Sequence, residues 1–96
     1  MKLKVYEVKR VRIEEKDDYE DSFLYADYPD AVVKFKELVE EEKKIDWIEE
    51  CLEMGVDNDE GRDIDIVEGI DFWGLYVDDL FARWSSEVSI IEREVF

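Results

Sequence analysis

The sequence predicts an α+β domain in which an antiparallel sheet of about four strands, ordered β-β-α-β-β, packs on one long or bent helix. Three observations carry this reading. Apolar residues alternate with charge toward both ends of the chain, the period of a half-buried strand. A central stretch repeats its apolar residues at helical spacing, and no repeat, low-complexity tract or Pro/Gly/Ser-rich linker divides the 96 residues, so 1–96 reads as a single domain. The helix is expected to cover the apolar face of the sheet.

Residues 2 to 13, KLKVYEVKRVRI, are rich in β-branched and aromatic residues, and Leu3/Val5, Tyr6/Val8 and Val11/Ile13 each alternate with charge. These pairs change phase twice, which predicts one long strand with a bulge or strong twist. EEKDDYED, 14 to 21, reads as a polar turn and SFLYA as a short strand returning along the first. DYPDAVVKF opens the helix: Asp27 suits the N-cap, Pro29 fits the first turn, and Asp30 lies near the positive helix end. Ala31, Phe35, Leu38, Ile45, Ile48 and Leu52 share one helix face, with Gly55 as the stop. Glu42 interrupts that face, so either one helix carries a solvated turn there or two helices meet at about 42 to 45, and a bend is the favoured form. Ile64, Ile66, Ile70 and Phe72 then alternate with acids and Gly as a strand. WGLYVDDLF continues as strand or turn, and EVSIIEREVF closes the chain as the last strand.

Five Phe, five Tyr and three Trp, with hydrophobic residues at 46%, are too many for a disordered acidic tail. The net charge of −16 is therefore spread over a folded body. It disfavours contact with nucleic acid or an anionic membrane and favours basic partners. Residues 1 to 16 hold six basic and three acidic side chains, whereas 45 to 82 hold thirteen acids against Arg62 alone. No stretch approaches the roughly 20 apolar residues that cross a bilayer, and MKLKVYEVKR is interrupted by charge where a signal peptide would be apolar. A cytoplasmic location is expected.

Chemistry is poorly provided for. There is no His to act as a general base near neutral pH or to ligate a transition metal. Cys51 is the single cysteine, without an activating imidazole, and reads as a packed, reduced thiol. Close carboxylate pairs such as Asp78 with Asp79, or Asp63 with Asp65, arise from composition alone in a chain with 29 acids. No enzymatic activity and no cofactor are expected.

VDNDEGRDIDIVEG, 56 to 69, comes near a calcium-binding loop. Counted from Asp57, acids fall at loop positions 1, 3, 7, 9 and 12, and Ile64 at 8. Gly61 stands at 5, where a ligand belongs, and Arg62 at 6, where the backbone needs Gly. The downstream half reads as strand where a second helix would be required, so no metal is expected. The acids instead form the centre of an outward anionic region.

The residues expected to face a partner are Asp46, Glu49, Glu50 and Glu53 on the late helix, then Asp57, Asp59, Glu60, Asp63 and Asp65. Asp71, Asp78 and Asp79 complete the acids, and Trp73, between Phe72 and Gly74, is the aromatic anchor. Two functions fit. One is an acidic decoy that occupies the basic groove of a nucleic-acid-binding protein, with no direct nucleic-acid or membrane binding. The other is an acidic interaction module, such as an accessory or antitoxin-like subunit, which binds a basic partner without mimicry; a variant is a homodimer joined through an exposed edge of the first strand.

In its short length, its sheet-plus-helix frame and the acids and aromatics packed into 37 to 79, the chain resembles the small phage-encoded DNA-mimic inhibitors of restriction enzymes and CRISPR effectors. The resemblance is one of character, without a shared motif. It implies an inhibitor of a nucleic-acid-binding enzyme, acting in the host cytoplasm if phage-encoded. The basic first strand departs from the pattern, and must face away from the target or pair with the chain's own acids.

Overall fold

A computed structural model describes residues 3–14, 17–54, 63–78 and 83–95. Five strands, β1 (Leu3–Ile13), β2 (Asp18–Tyr25), β3 (Asp63–Glu68), β4 (Phe72–Asp78) and β5 (Arg83–Val95), form one sheet. Its order is β2-β1-β5-β4-β3, every neighbouring pair antiparallel. Two helices, α1 (Tyr28–Lys43) and α2 (Asp46–Met54), cover one face. The α+β class is as the sequence predicts; the counts are five strands and two helices, not about four strands and one long or bent helix.

The extra strand comes from the stretch read as one run through Phe72. Gly69, Ile70 and Asp71 fold it back, with Gly69 N–H donating to the Phe72 carbonyl at 2.7 Å, so β3 and β4 are a hairpin. β2 also begins earlier, inside the predicted polar turn, because β1 supplies cations for its acids: Lys9 meets Glu20 at 3.1 Å, and Arg10 meets Asp21.

No bulge interrupts β1. Its register with β5 is continuous from Leu3↔Val95 to Ile13↔Ser85. The apolar residues change phase because the two faces demand different things along the strand. Tyr6 and Val8 meet the core under α1, whereas Arg10 and Arg12, on that same inner face, meet Glu42 of α1. Leu3, Val5, Val11 and Ile13 point to the other face. β1 also lies inside the sheet, paired on both sides, so the homodimer through its edge has no edge to use; the outer strands are β2 and β3.

α1 starts at Asp27, whose carbonyl accepts from Ala31 N–H at 3.2 Å, while its carboxylate makes no cap bond. Ala31, Phe35, Leu38 and Val39 are buried, and Ile48 and Cys51 continue the core onto α2 against Ile64, Leu75, Val77 and Val88. The helices meet at Lys44 and Ile45, so of the two alternatives the one with two helices meeting at about 42 to 45 is observed, in place of a single bent helix. The turn there is not solvated, however: Glu42 is 1% exposed. Its Oε2 accepts from Arg12 Nη1 at 2.9 Å and its Oε1 from Ser86 Oγ at 2.8 Å, while Arg10 Nη1 lies 3.6 Å away. A carboxylate without such donors would cost several kcal/mol at that depth (~3–5).

Candidate acidic interaction surface

The surface is built where α1 hands over to α2. On α1 the residues opposite the core stripe are Glu37, Glu40 and Glu41, all exposed. α2 adds Asp46, Glu49, Glu50 and Glu53, because Ile48 and Cys51 turn inward and leave those positions outside. Among the described residues these four carboxylates have no cation or hydrogen-bond partner, and α2 contains no base. Trp47 orients the helix: it packs edge-on against Trp84, with ring centroids 5.1 Å apart, and donates Nε1–H to Glu14 at 2.7 Å. This places the ridge over the end of the sheet where β4 finishes and β5 begins.

The cations of β1 are consumed by the chain's own acids. Lys4 pairs with Glu92 at 3.4 Å and Lys9 with Glu20; Arg10 pairs with Asp21 and, at 2.9 Å, with Glu41. Arg12 pairs with Glu42 and, at 3.6 Å, with Glu14. Both guanidiniums also stack on the Tyr19 ring, at 5.1 and 4.9 Å from its centroid. Tyr19 donates its hydroxyl to Asp21, and this bond together with Arg10 holds the Asp21 carboxyl below its ordinary 3.8. The departure from a uniformly acidic surface is thereby removed: the basic strand is neutralised from within.

The other acids expected at this surface are dispersed. Asp65 and Asp78 are exposed on the face of the sheet away from the helices, and Asp78 lies 3.7 Å from Arg83. Asp71 lies at the other end of the molecule, where Tyr28 at the start of α1 donates to it; the 16 residues of α1 separate it from α2 by about 24 Å. Asp57, Asp59, Glu60 and Asp79 lie outside the described residues, as does the side chain of Asp63. The first half of the calcium-loop comparison, 57–62, therefore falls outside them too; its second half is strand β3, and no metal-binding cluster occurs among the described residues.

Trp73 is not a surface anchor. It is 3% exposed, on the inner face of β4 with Leu75 and Val77, packed under the helices. Alternation along β4 decides this, since inward positions are 73, 75 and 77. The sequence reading missed Glu37, Glu40 and Glu41, which the charge count starting at 45 left out. It also left a solvated turn at Glu42 open as one of two alternatives, although the spacing of Glu42 from Ala31, Phe35 and Leu38 marks it as inward-facing.

No described helix is long and apolar enough to cross a membrane. No protein-family model, curated protein or solved structure matches the chain.

Proposed function

We propose that the chain is an acidic, non-catalytic inhibitor that occupies the basic nucleic-acid-binding surface of a target enzyme, as a decoy for DNA or RNA and without a cofactor. The observation that carries this reading is the α2 ridge: four exposed carboxylates within one short helix, without partners among the described residues, while the cations of β1 are spent on internal pairs. A structure that tolerates repelling acids at helical spacings of three and four, instead of pairing them, is consistent with an external cationic partner. Nucleic-acid-binding grooves supply Lys and Arg in that arrangement, and displacing their bound counterions contributes to affinity.

The test is an affinity pull-down from host lysate at low salt, with the wild type and an Asp46→Asn/Glu49→Gln/Glu50→Gln/Glu53→Gln variant as baits. The proposal expects a basic, nucleic-acid-binding protein captured by the wild type and lost with the variant. Recovery of nothing basic, or equal capture by both baits, overturns it. A basic partner that DNA and RNA never displace favours the accessory-subunit reading over the decoy.

A further inference from the structure

The face of the sheet away from the helices has no described element packed on it, and apolar side chains are interspersed with its charges. Leu24, Ile13 and Val67 are 66%, 43% and 47% exposed there, and Val11, Ile91 and Phe72 lie partly exposed between them. Antiparallel sheets with one solvated face place polar residues outward, so this face departs from the rule in a specific way.

Several of its charged groups are already matched within the face. Glu7 accepts from Arg93 at 2.7 Å and from Ser22 at 2.5 Å, which holds its carboxyl below the ordinary 4.5. Lys9 pairs with Glu20. Tyr76 donates to Glu87 at 2.6 Å, and burial with that bond pushes its phenol up to about 12. The Phe72 and Tyr76 side chains lie over Gly74, where an added Cβ would stand 2.9 Å from the Phe72 ring and 3.0 Å from the Tyr76 ring. The result is a flat aromatic plate beside the small residues Ser85 and Ser89.

We propose that this face is where a second copy of the chain docks, giving a two-fold dimer of sheets packed face to face. Three observations select that occupant. The central pairs Glu7–Arg93 and Lys9–Glu20 can be covered without stranding a charge, while Asp18 and Asp65, which have no partner among the described residues, lie at the rim on the outer strands β2 and β3. The outer strands β2 and β3 carry Asp18, Glu20, Asp65 and Glu68, so copies at −16 each repel edge to edge. Strand lengths at about 3.4 Å rise and 4.8 Å spacing give a face of about 700 Å², close to the ~800 Å² each partner contributes to a standard interface. α2 sits on the opposite face, so the dimer presents two acidic ridges outward.

Sedimentation equilibrium of the full chain, across concentration and at low and high salt, tests this. The mass should rise from 11.5 kDa toward twice that value, and salt should strengthen association by screening repulsion between the copies. Leu24→Lys and Ile13→Lys each lower the net negative charge, so any loss of dimer in them is not charge repulsion. Both alter solvent-exposed side chains, and circular dichroism checks that folding is kept. Each should weaken self-association at least about tenfold, the effect of burying an unpaired ammonium, while Val33→Lys on the outer side of α1 should not. A monomer under every condition, dimers that survive both face substitutions, or equal loss with Val33→Lys would overturn the proposal. None of these outcomes changes what the ridge captures, so the two readings fail separately.

Discussion

Replacing Glu42 with alanine leaves Arg10 and Arg12 at 11% and 18% side-chain exposure with one acid fewer, and strips Ser86 of its acceptor. The expected loss is about 1–3 kcal/mol, because Arg12 and the buried Ser86 hydroxyl lose their shared acceptor while Arg10 keeps Asp21 and Glu41 and Arg12 keeps Glu14; guanidinium denaturation measures it. A loss under about 1 kcal/mol would mean that water or another acid takes the place of the carboxylate. Asp21 gives a pH signature. Its carboxyl is held below 3.8 in the folded chain, so its contribution is present above that value and disappears as pH falls through the folded value. Stability should therefore drop on that acid limb, and Asp21→Asn should flatten the drop. At this scale the sequence was half legible. The stripe from Ala31 to Leu52 shows in the spacing because helical period is local. That Glu42 is inward and satisfied does not, since its partners lie 30 and 44 residues away on β1 and β5. Trp73 was legible through its alternation with Leu75 and Val77, and was misplaced by weighing its neighbours Phe72 and Gly74 instead.

α2 is an element built against its own interest. Asp46, Glu49, Glu50 and Glu53 form four like-charge pairs at spacings of three and four, and Glu53 stands near the negative helix end with no base in the last turn. Asp46 and Glu49 at least sit in the first turn, where acids are favourable. Glu50→Gln/Glu53→Gln removes three of the pairs and should stabilise the chain by roughly 0.6–1.5 kcal/mol, read as a higher denaturation midpoint. The same variant should bind the captured partner more weakly. Stability and binding moving in opposite directions is the mark of a surface kept for use; a variant that is neither more stable nor weaker in binding contradicts it. The ridge was legible in the sequence because α2 is short and its apolar positions are unambiguous. The hairpin of β3 and β4 was not, because an Ile-rich run alternates equally well with or without the turn at Gly69 to Asp71. Strand order was also closed to sequence reading: β1 pairs with β5 across the whole length of the chain, a choice made by the assembled core and not by any local signal.

At the scale of the molecule, charge is sorted by position. β1 binds its cations to internal acids, the helix layer turns unpaired acids outward at α2, and the centre of the open sheet face pairs Glu7 with Arg93 and Lys9 with Glu20. The segment count anticipated the imbalance but joined into one region acids that the fold sends three ways: Glu50 and its neighbours to the helix layer, Asp65 and Asp78 to the open face, and Asp71 to the far end of α1. Segment charge follows the chain, whereas a surface is assembled by pairing between distant strands, so only acids within one element could be grouped from sequence. The proposed mimicry of a nucleic acid by the ridge is tested most directly by a competition titration: duplex DNA or RNA added to the chain bound to its captured partner, repeated at increasing salt. Complete displacement by nucleic acid, with an affinity for the chain that falls steeply as salt rises, is the predicted result. A ternary complex that forms without displacement, at an affinity unchanged by salt, would contradict it.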